Sequence, residues 1–265
     1  GVTARGRLRV VWYATRSGLA EYSAMFTWRS WLLGWYVRIL AQVMFFATIG
    51  SLLGHRQLQY LLVGNAVMLI ATHTLMTTAS TTWERDTGTL PLLVASPTHA
   101  WLVLSSRSLF WLPEGLACTV GSLLIIGPPL GVVLSLPRLL YCLPMLLVIA
   151  ASTYAFGLFL GSLVLTRNDL RNVVSNVAST TMMAVCGVNF PTSVLGRLRW
   201  IGTVLPLTHG LLAVRITLAD GPNQHVLVLL AEEAVSGIAW LAAAWLVLRW
   251  VEKRSRRDGR IVFTG

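Results

Sequence analysis

Charge is what this 265-residue chain has least of. Asp, Glu, Lys and Arg together make up 12% of it, about half the ~25% of a soluble domain. A soluble fold so poor in charge could not cover its own surface. Lysine is nearly missing: Lys253 is the single one, preceded by Glu252 and followed by Arg254. A phosphate-cradling P-loop needs Gly-Lys followed by Ser or Thr, so the chain is not expected to be its own ATPase. Cysteine is sparse as well. Cys118, Cys142 and Cys186 stand singly in apolar runs with no metal-ligand spacing and read as small packing residues. No Gly-x-Ser-x-Gly elbow and no His-Glu-x-x-His pair is present, so neither a catalytic group nor a metal site is expected.

Apolar residues are abundant instead. They make up 55% of the chain, with a mean hydropathy of +0.68. Six apolar runs lie near 33–54, 59–82, 101–126, 138–163, 172–190 and 226–249. About 20 helical residues cross ~30 Å of hydrocarbon, so the predicted fold class is an all-α polytopic membrane protein with six transmembrane helices. Trp28, Trp31 and Trp35 mark the start of the first run, Trp83 and Trp101 bracket the turn between the second and third, and Trp250 closes the sixth. Indole rings favour that interfacial depth because one edge is apolar and the N–H wants water. Residues 1–30 lack the apolar core of a signal peptide. Leu8, Val11, Trp12, Thr15, Leu19, Tyr22 and Phe26 instead recur at helical spacing, with Arg9 and Arg16 off that face. The expectation is an interfacial amphipathic helix lying along the headgroups. The whole of 1–265 is then one transmembrane domain: interfacial helix 1–30, six-span bundle 33–250 and basic tail 251–265.

The formal charge of +11 suggests nucleic acid only until the basic residues are placed. They cluster at the chain ends, and no basic stripe interleaves with aromatics, so no nucleic-acid partner is expected. Six crossings put both termini on one side. Sixteen of the 21 basic residues fall on that side, and five, Arg56, Arg138, Arg197, Arg199 and Arg215, on the other. Basic residues collect in the cytoplasm, which predicts cytoplasmic termini in a multi-pass protein of the cytoplasmic (inner) membrane. The longest outer connection, 191–225, is half apolar yet broken by Pro191, Gly202, Pro206 and Gly210. Short re-entrant helices before the last span fit it better than a solvated loop.

The turn between runs two and three carries Glu84, Arg85, Asp86, Gly88, Thr89, Leu90, Pro91, Leu92, Leu93 and, further on, Ser96-Pro97. A charged knot leaves the membrane, Gly88 permits a sharp turn, Thr89 can cap a helix that tolerates Pro91 in its first turn, and Pro97 ends it. A stubby apolar helix at the cytoplasmic surface needs headgroups or a partner's groove.

The run Glu84-Arg85-x-x-Gly88-Thr89-Leu90, with Leu92-Leu93, Ala95, Ser96 and Pro97 behind it, resembles the coupling segment of ATP-binding-cassette type 2 permeases. Gly187-Val188-Asn189-Phe190-Pro191 is similar to that family's outer end of span five. Leu205-Pro206-Leu207-Thr208-His209, with Arg215, resembles its Pro-Leu-Thr-His run before the last span. Pro91 departs from the pattern, which usually has an acidic residue there. The resemblance implies a six-span permease subunit of an exporter, dimerised with a second permease, the same or homologous. Two cytoplasmic ATPase subunits would bind it and hold the ATP and Mg, with no cofactor in this chain. It implies that Glu84, Arg85, Asp86, Gly88, Thr89, Leu90, Leu92 and Leu93 couple to the ATPase, that spans two and five line a substrate route at the dimer interface, and that Phe190, Pro191, Pro206 and His209 form an outer gate. Cargo of the drug, antibiotic or lipid-like kind follows from the same resemblance. An ion-coupled secondary transporter is the alternative.

The residues themselves bear on the route. In run five Asn172, Ser175, Asn176, Ser179 and Met183 form one polar stripe, and in run two Asn65, Met68, Thr72 and Met76 share a face. Polar stripes turn from lipid toward a wet cavity or a neighbouring helix, and the spacing fits both. Two acidic positions lie within the membrane: Glu114, directly after Pro113, and Glu233, beside Glu232 in the last run. Each reads as a hydrogen-bond anchor or as a group with a part in transport, and His73 as a packing histidine or a proton relay. Gly157-x-x-x-Gly161 and Gly50-x-x-x-Gly54 have the spacing that lets helices approach closely, within one subunit or between two.

Overall fold

A computed structural model describes residues 4–25, 27–80, 100–132, 135–165 and 170–258. The described residues form ten α-helices, with a π-helical turn at Ser30–Tyr36 and 3-10 turns at Pro128–Leu130 and Thr192–Leu198. The α-helices are α1 (Ala4–Met25), α2 (Val37–Leu53), α3 (His55–Leu75), α4 (Ala100–Arg107), α5 (Trp111–Ile126), α6 (Leu136–Val164), α7 (Arg171–Val185), α8 (Arg199–Val204), α9 (Thr208–Asp220) and α10 (Gln224–Asp258).

Helix α3 is the hub. Every residue from Leu61 to Ala71 is buried, which a helix tolerates only when all its faces are apolar or internally bonded. It packs against α2, α5, α6, α7 and α9. Around it stand the spans Ser30–Leu53, Trp101–Leu130, Leu136–Val164 and Gln224–Val251. The first and last are 22% buried against 89% for the central one, so most of their surface points away from the bundle. Only Ile39, Val43, Ala47 and Gly50 of α2 are buried, a single stripe that leans on α3. One glycine of each small-residue pair meets a helix of the same chain: a Cβ on Gly157 would stand 2.8 Å from the Thr74 carbonyl oxygen, and one on Gly50 would stand 2.7 Å from the Leu58 Cα, whereas Gly54 has nothing within 4 Å.

Two sequence expectations change. Five helices are long and apolar enough to cross a membrane, and a sixth crossing of that kind arises only if the bent pair Thr192–Val204 and Thr208–Asp220 is taken as one. The fifth predicted span, 172–190, is the 15-residue α7, about 22 Å long at 1.5 Å per residue. It stops at Cys186 because Gly187 takes a φ of 80°, and the chain leaves the helix there. The bent pair meets at 107°, the re-entrant geometry expected of 191–225.

The stripe on α1 also divides. Ala14 and Gly18 are buried and Val11, Thr15 and Tyr22 half-buried against the protein, whereas Leu8, Trp12 and Leu19 are exposed. The helix lies so close to α4 that a Cβ on Gly18 would be 2.1 Å from the Arg107 carbonyl oxygen. The Thr15 hydroxyl donates to the Ser106 carbonyl at 2.9 Å, and Arg107 pairs with Glu21 at 2.5 Å. The outward Leu8, Trp12 and Leu19 remain suited to the acyl boundary.

Pro113 acts on the turn before it. The chain breaks at Ser108–Phe110, before the proline. Proline's ring clashes with the carbonyl four residues earlier, here Leu109, so the distortion falls upstream. The basic tail predicted at 251–265 is continuous with the last helix as far as Asp258.

Candidate functional site

The coupling residues Glu84, Arg85, Asp86, Gly88, Thr89, Leu90, Leu92 and Leu93 lie outside the described residues. The two stripes proposed for a route are described, and the structure sorts them. Asn65 and Met68 are buried inside the bundle. The Asn65 amide donates to the Leu61 carbonyl at 2.9 Å and to the Asn189 side-chain oxygen at 3.1 Å, tying α3 to the segment after α7. They are packing residues, with Asn65 held by the segment that follows α7. Thr72 and Met76 are half-buried, with the Thr72 hydroxyl returned to the Met68 carbonyl at 3.1 Å.

On α7, Ser175 is buried and reaches the Leu75 carbonyl at 3.5 Å. Ser179 and Met183 are half-buried, while Asn172 and Asn176 are exposed together with Val173, Val177 and Thr180. The predicted single stripe is thus two faces. One is held against α3, and the other, with two amides and two valines, is left uncovered by the described residues.

A cap is built from carbonyls that the α7 terminus leaves free. Arg215, on α9, donates to the carbonyls of Gly187 at 2.6 Å, Tyr60 at 2.9 Å and Val188 at 2.9 Å. Its guanidinium also lies 3.5 Å from the Tyr60 ring centre, a cation–π contact. Phe190 and Pro191 stay exposed beside this clamp, whereas Pro206 is buried. The half-buried His209 stands 3.6 Å from Glu232. The structure brings Pro206 and His209 to the bend of the re-entrant pair and leaves Phe190 and Pro191 at its rim.

Glu233 sits beneath that bend. It is fully buried, and its oxygens accept the backbone N–H of Leu207 at 2.8 Å, that of Gly210 at 3.0 Å and the Ser152 hydroxyl. A carboxylate thereby meets the N-terminus of α9, where orphan N–H groups and the helix dipole favour negative charge.

Glu114 gathers partners from the far end of the sequence. One oxygen, Oε1, accepts both the Tyr22 hydroxyl at 2.6 Å and the Trp31 indole N–H at 2.8 Å. Burial, and next the carboxylate it donates to, hold the Tyr22 phenol well above its ordinary range. His73 is bonded at both ring nitrogens. An indole N–H only donates, so the Trp35 contact at 3.2 Å makes Nε2 the acceptor, and Nδ1 carries the proton given to the Leu69 carbonyl at 2.7 Å. Trp31 and Trp35, expected to hold their N–H groups at the water boundary, aim them at an internal carboxylate and imidazole. Sequence reasoning missed Tyr22, Trp31 and Trp35 as partners of these groups, and Ser152 as a partner of Glu233. The available signal was that a carboxylate at membrane depth needs donors, but the chain offers no spacing rule for donors 83 and 92 residues away.

Among the described residues no three His, Cys, Asp or Glu side chains gather to hold a metal, and the three cysteines are buried and free. The arrangement orients helices and presents a polar face.

The profile of the family described as ABC-2 type transporter matches residues 19–219. Comparison with curated proteins and with solved structures gives no match.

Proposed function

The chain belongs to the ABC-2 type transporter family, a multi-pass membrane permease, and we propose that it is one of two permease subunits in an ATP-driven exporter. The second permease is a like or homologous chain, and two cytoplasmic ATPase subunits supply ATP and Mg binding. The observation that carries this reading beyond family membership is the uncovered face of α7. Amides facing hydrocarbon are costly, so Asn176, between Val173 and Val177, calls for a second subunit and a wet route on that side. Thr72, Met76, Ser179 and Met183 add pliable thioethers and hydroxyls, which suit a bulky amphipathic drug, antibiotic or lipid-like cargo. The 84–96 segment is the handle that the ATPase grips, and the basic excess at the chain ends supports cytoplasmic termini.

The test is reconstitution. The purified chain alone is expected to hydrolyse no ATP. With a cassette ATPase in proteoliposomes it is expected to move a fluorescent amphipathic cation only when ATP is supplied. Transport that persists after ATP depletion and follows a proton gradient would instead make the chain an ion-coupled carrier.

A further inference from the structure

The arginines on the sparsely basic side of the chain are not scattered. Of Arg56, Arg138, Arg197, Arg199 and Arg215, three line one cavity of about 520 Å³: Arg56 at the start of α3, Arg138 at the start of α6 and Arg215 on α9. Asp220 is its one acidic lining residue, so three positive charges face one negative. Among the described residues none of the three guanidiniums forms an ion pair with a carboxylate.

Their protein partners are neutral or missing. Arg138 donates to the carbonyls of Leu218 at 2.8 Å and Ala219 at 3.1 Å. Arg215 spends its terminal nitrogens on carbonyls, and its buried Nε has no hydrogen-bond partner among the described residues. Carbonyl bonds orient a guanidinium without cancelling its charge. Arg56 is exposed and makes no hydrogen bond to a described residue. Placing arginines on the side where basic residues are depleted, and then converging three of them around a single unpaired carboxylate, calls for an anion.

The position of the cavity says which anion. It is framed by the first turns of two membrane-crossing helices and the last turn of a re-entrant one, and those ends mark the level where a bilayer's headgroups lie. Apolar side chains share the same wall, with Leu212 and Ile216 one turn apart on α9 and Val63 on α3. We propose that this cavity binds an anionic phospholipid, with its phosphate among Arg56, Arg138 and Arg215 and an acyl chain along Leu212 and Ile216. The lipid completes the counter-charge that the chain omits and braces the re-entrant pair against α3 and α6. The site is separate from the α7 face and does not depend on which molecule is transported.

The experiment uses the full chain, delipidated in mild detergent, with native mass spectrometry counting bound lipid and a thermal melt reading stability. Phosphatidylglycerol is expected to bind and raise the Tm, phosphatidylcholine to do so much less, and millimolar inorganic phosphate not at all. Arg56→Gln, an exposed change that threatens no packing, is expected to cut phosphatidylglycerol retention about fivefold; Arg56→Gln with Arg138→Gln is expected to cut it further, and Arg56→Lys to keep it. Equal retention by the wild type and both glutamine variants would overturn the proposal, as would equal binding of the two lipids. Inorganic phosphate reproducing the full Tm rise would assign the site to a free anion and remove the lipid. Loss in Arg56→Lys as great as in Arg56→Gln would show that charge is not what holds it.

Discussion

Glu233, in the first half of the last span, accepts the backbone N–H of Leu207 at 2.8 Å. Leu207 is also the single non-glycine residue with positive φ, 94°, among the described residues. A leucine at φ 94° and ψ −36° sits in a sparsely populated region at a cost of about 1–3 kcal/mol, while full burial of its side chain returns about 1.5–3 kcal/mol. Burial of the side chain offsets the strain, and the carboxylate fixes the bend. Replacing Leu207 tests this split. Leu207→Ala loses the burial and keeps the strain, whereas Leu207→Gly loses the burial and relieves it. The expected outcome in thermal melts is that the glycine variant is at least as stable as the alanine one, the reverse of the usual order. A glycine variant clearly less stable than alanine would show that the φ of 94° carries no cost.

Removing the carboxylate should be severe. Glu233→Ala leaves the backbone N–H groups of Leu207 and Gly210 without this acceptor, at about 1–3 kcal/mol for each buried orphan, while the Ser152 hydroxyl keeps the Ile149 carbonyl at 3.0 Å. Glu233→Gln keeps one oxygen and turns an amide donor toward an N–H, so it falls between the wild type and alanine. Hydrogen exchange should rise first over 205–212. Unchanged exchange there in Glu233→Ala would mean that the bend is held by other groups.

The Glu114 cluster predicts coupling. Tyr22 and Trp31 donate to the same oxygen, so Tyr22→Phe and Trp31→Phe should each destabilise by about 1.5–3 kcal/mol, and the double variant by a sum that departs by about 0.5–3 kcal/mol. Strict additivity in a double-mutant cycle would contradict the shared oxygen. The phenol's ionisation is shifted upward, so its contribution is intact below the ordinary tyrosine value of 10 and lost as pH rises beyond it. Tyr22→Phe should flatten that alkaline slope.

Arg215 needs its fork. Arg215→Lys preserves the charge yet supplies one ammonium where two guanidinium nitrogens now reach three carbonyls. A loss of about 2 kcal/mol or more is expected, with faster exchange at Gly187 and Val188. A lysine variant as stable as the wild type would reduce the clamp to a point charge.

Gly18 offers a mechanical test. With only 2.1 Å available to a Cβ before the Arg107 carbonyl, Gly18→Val should lift α1 from α4. Protease access to 5–16 should increase while the spans stay protected. Unaltered access would show that the two helices can slide apart without cost.

Long hydrophobic runs and their breakers were legible in the sequence because hydrocarbon thickness and backbone satisfaction act locally. Five runs became spans, and Pro191, Gly202 and Pro206 announced the broken segment. Polar periodicity was a weaker guide. Asn172, Ser175 and Asn176 are close in register, yet Ser175 faces α3 and the asparagines face outward, since a stripe spanning about a third of a helix can straddle the edge of a contact. The tryptophans misled for a related reason: an indole at a span's start satisfies its N–H equally well in water or on an internal acceptor.

Sequence by itself determined that this chain is a helical membrane protein of the ABC-2 type, because hydropathy, proline and glycine placement and short motifs are properties of neighbouring residues. Only the tertiary structure decided which carboxylate meets which donor, that Arg215 binds α9 to the end of α7, and that three arginines share one cavity. Those pairings join groups dozens of residues apart, and the packing of helices around α3, which no local pattern encodes, brings them within bonding distance.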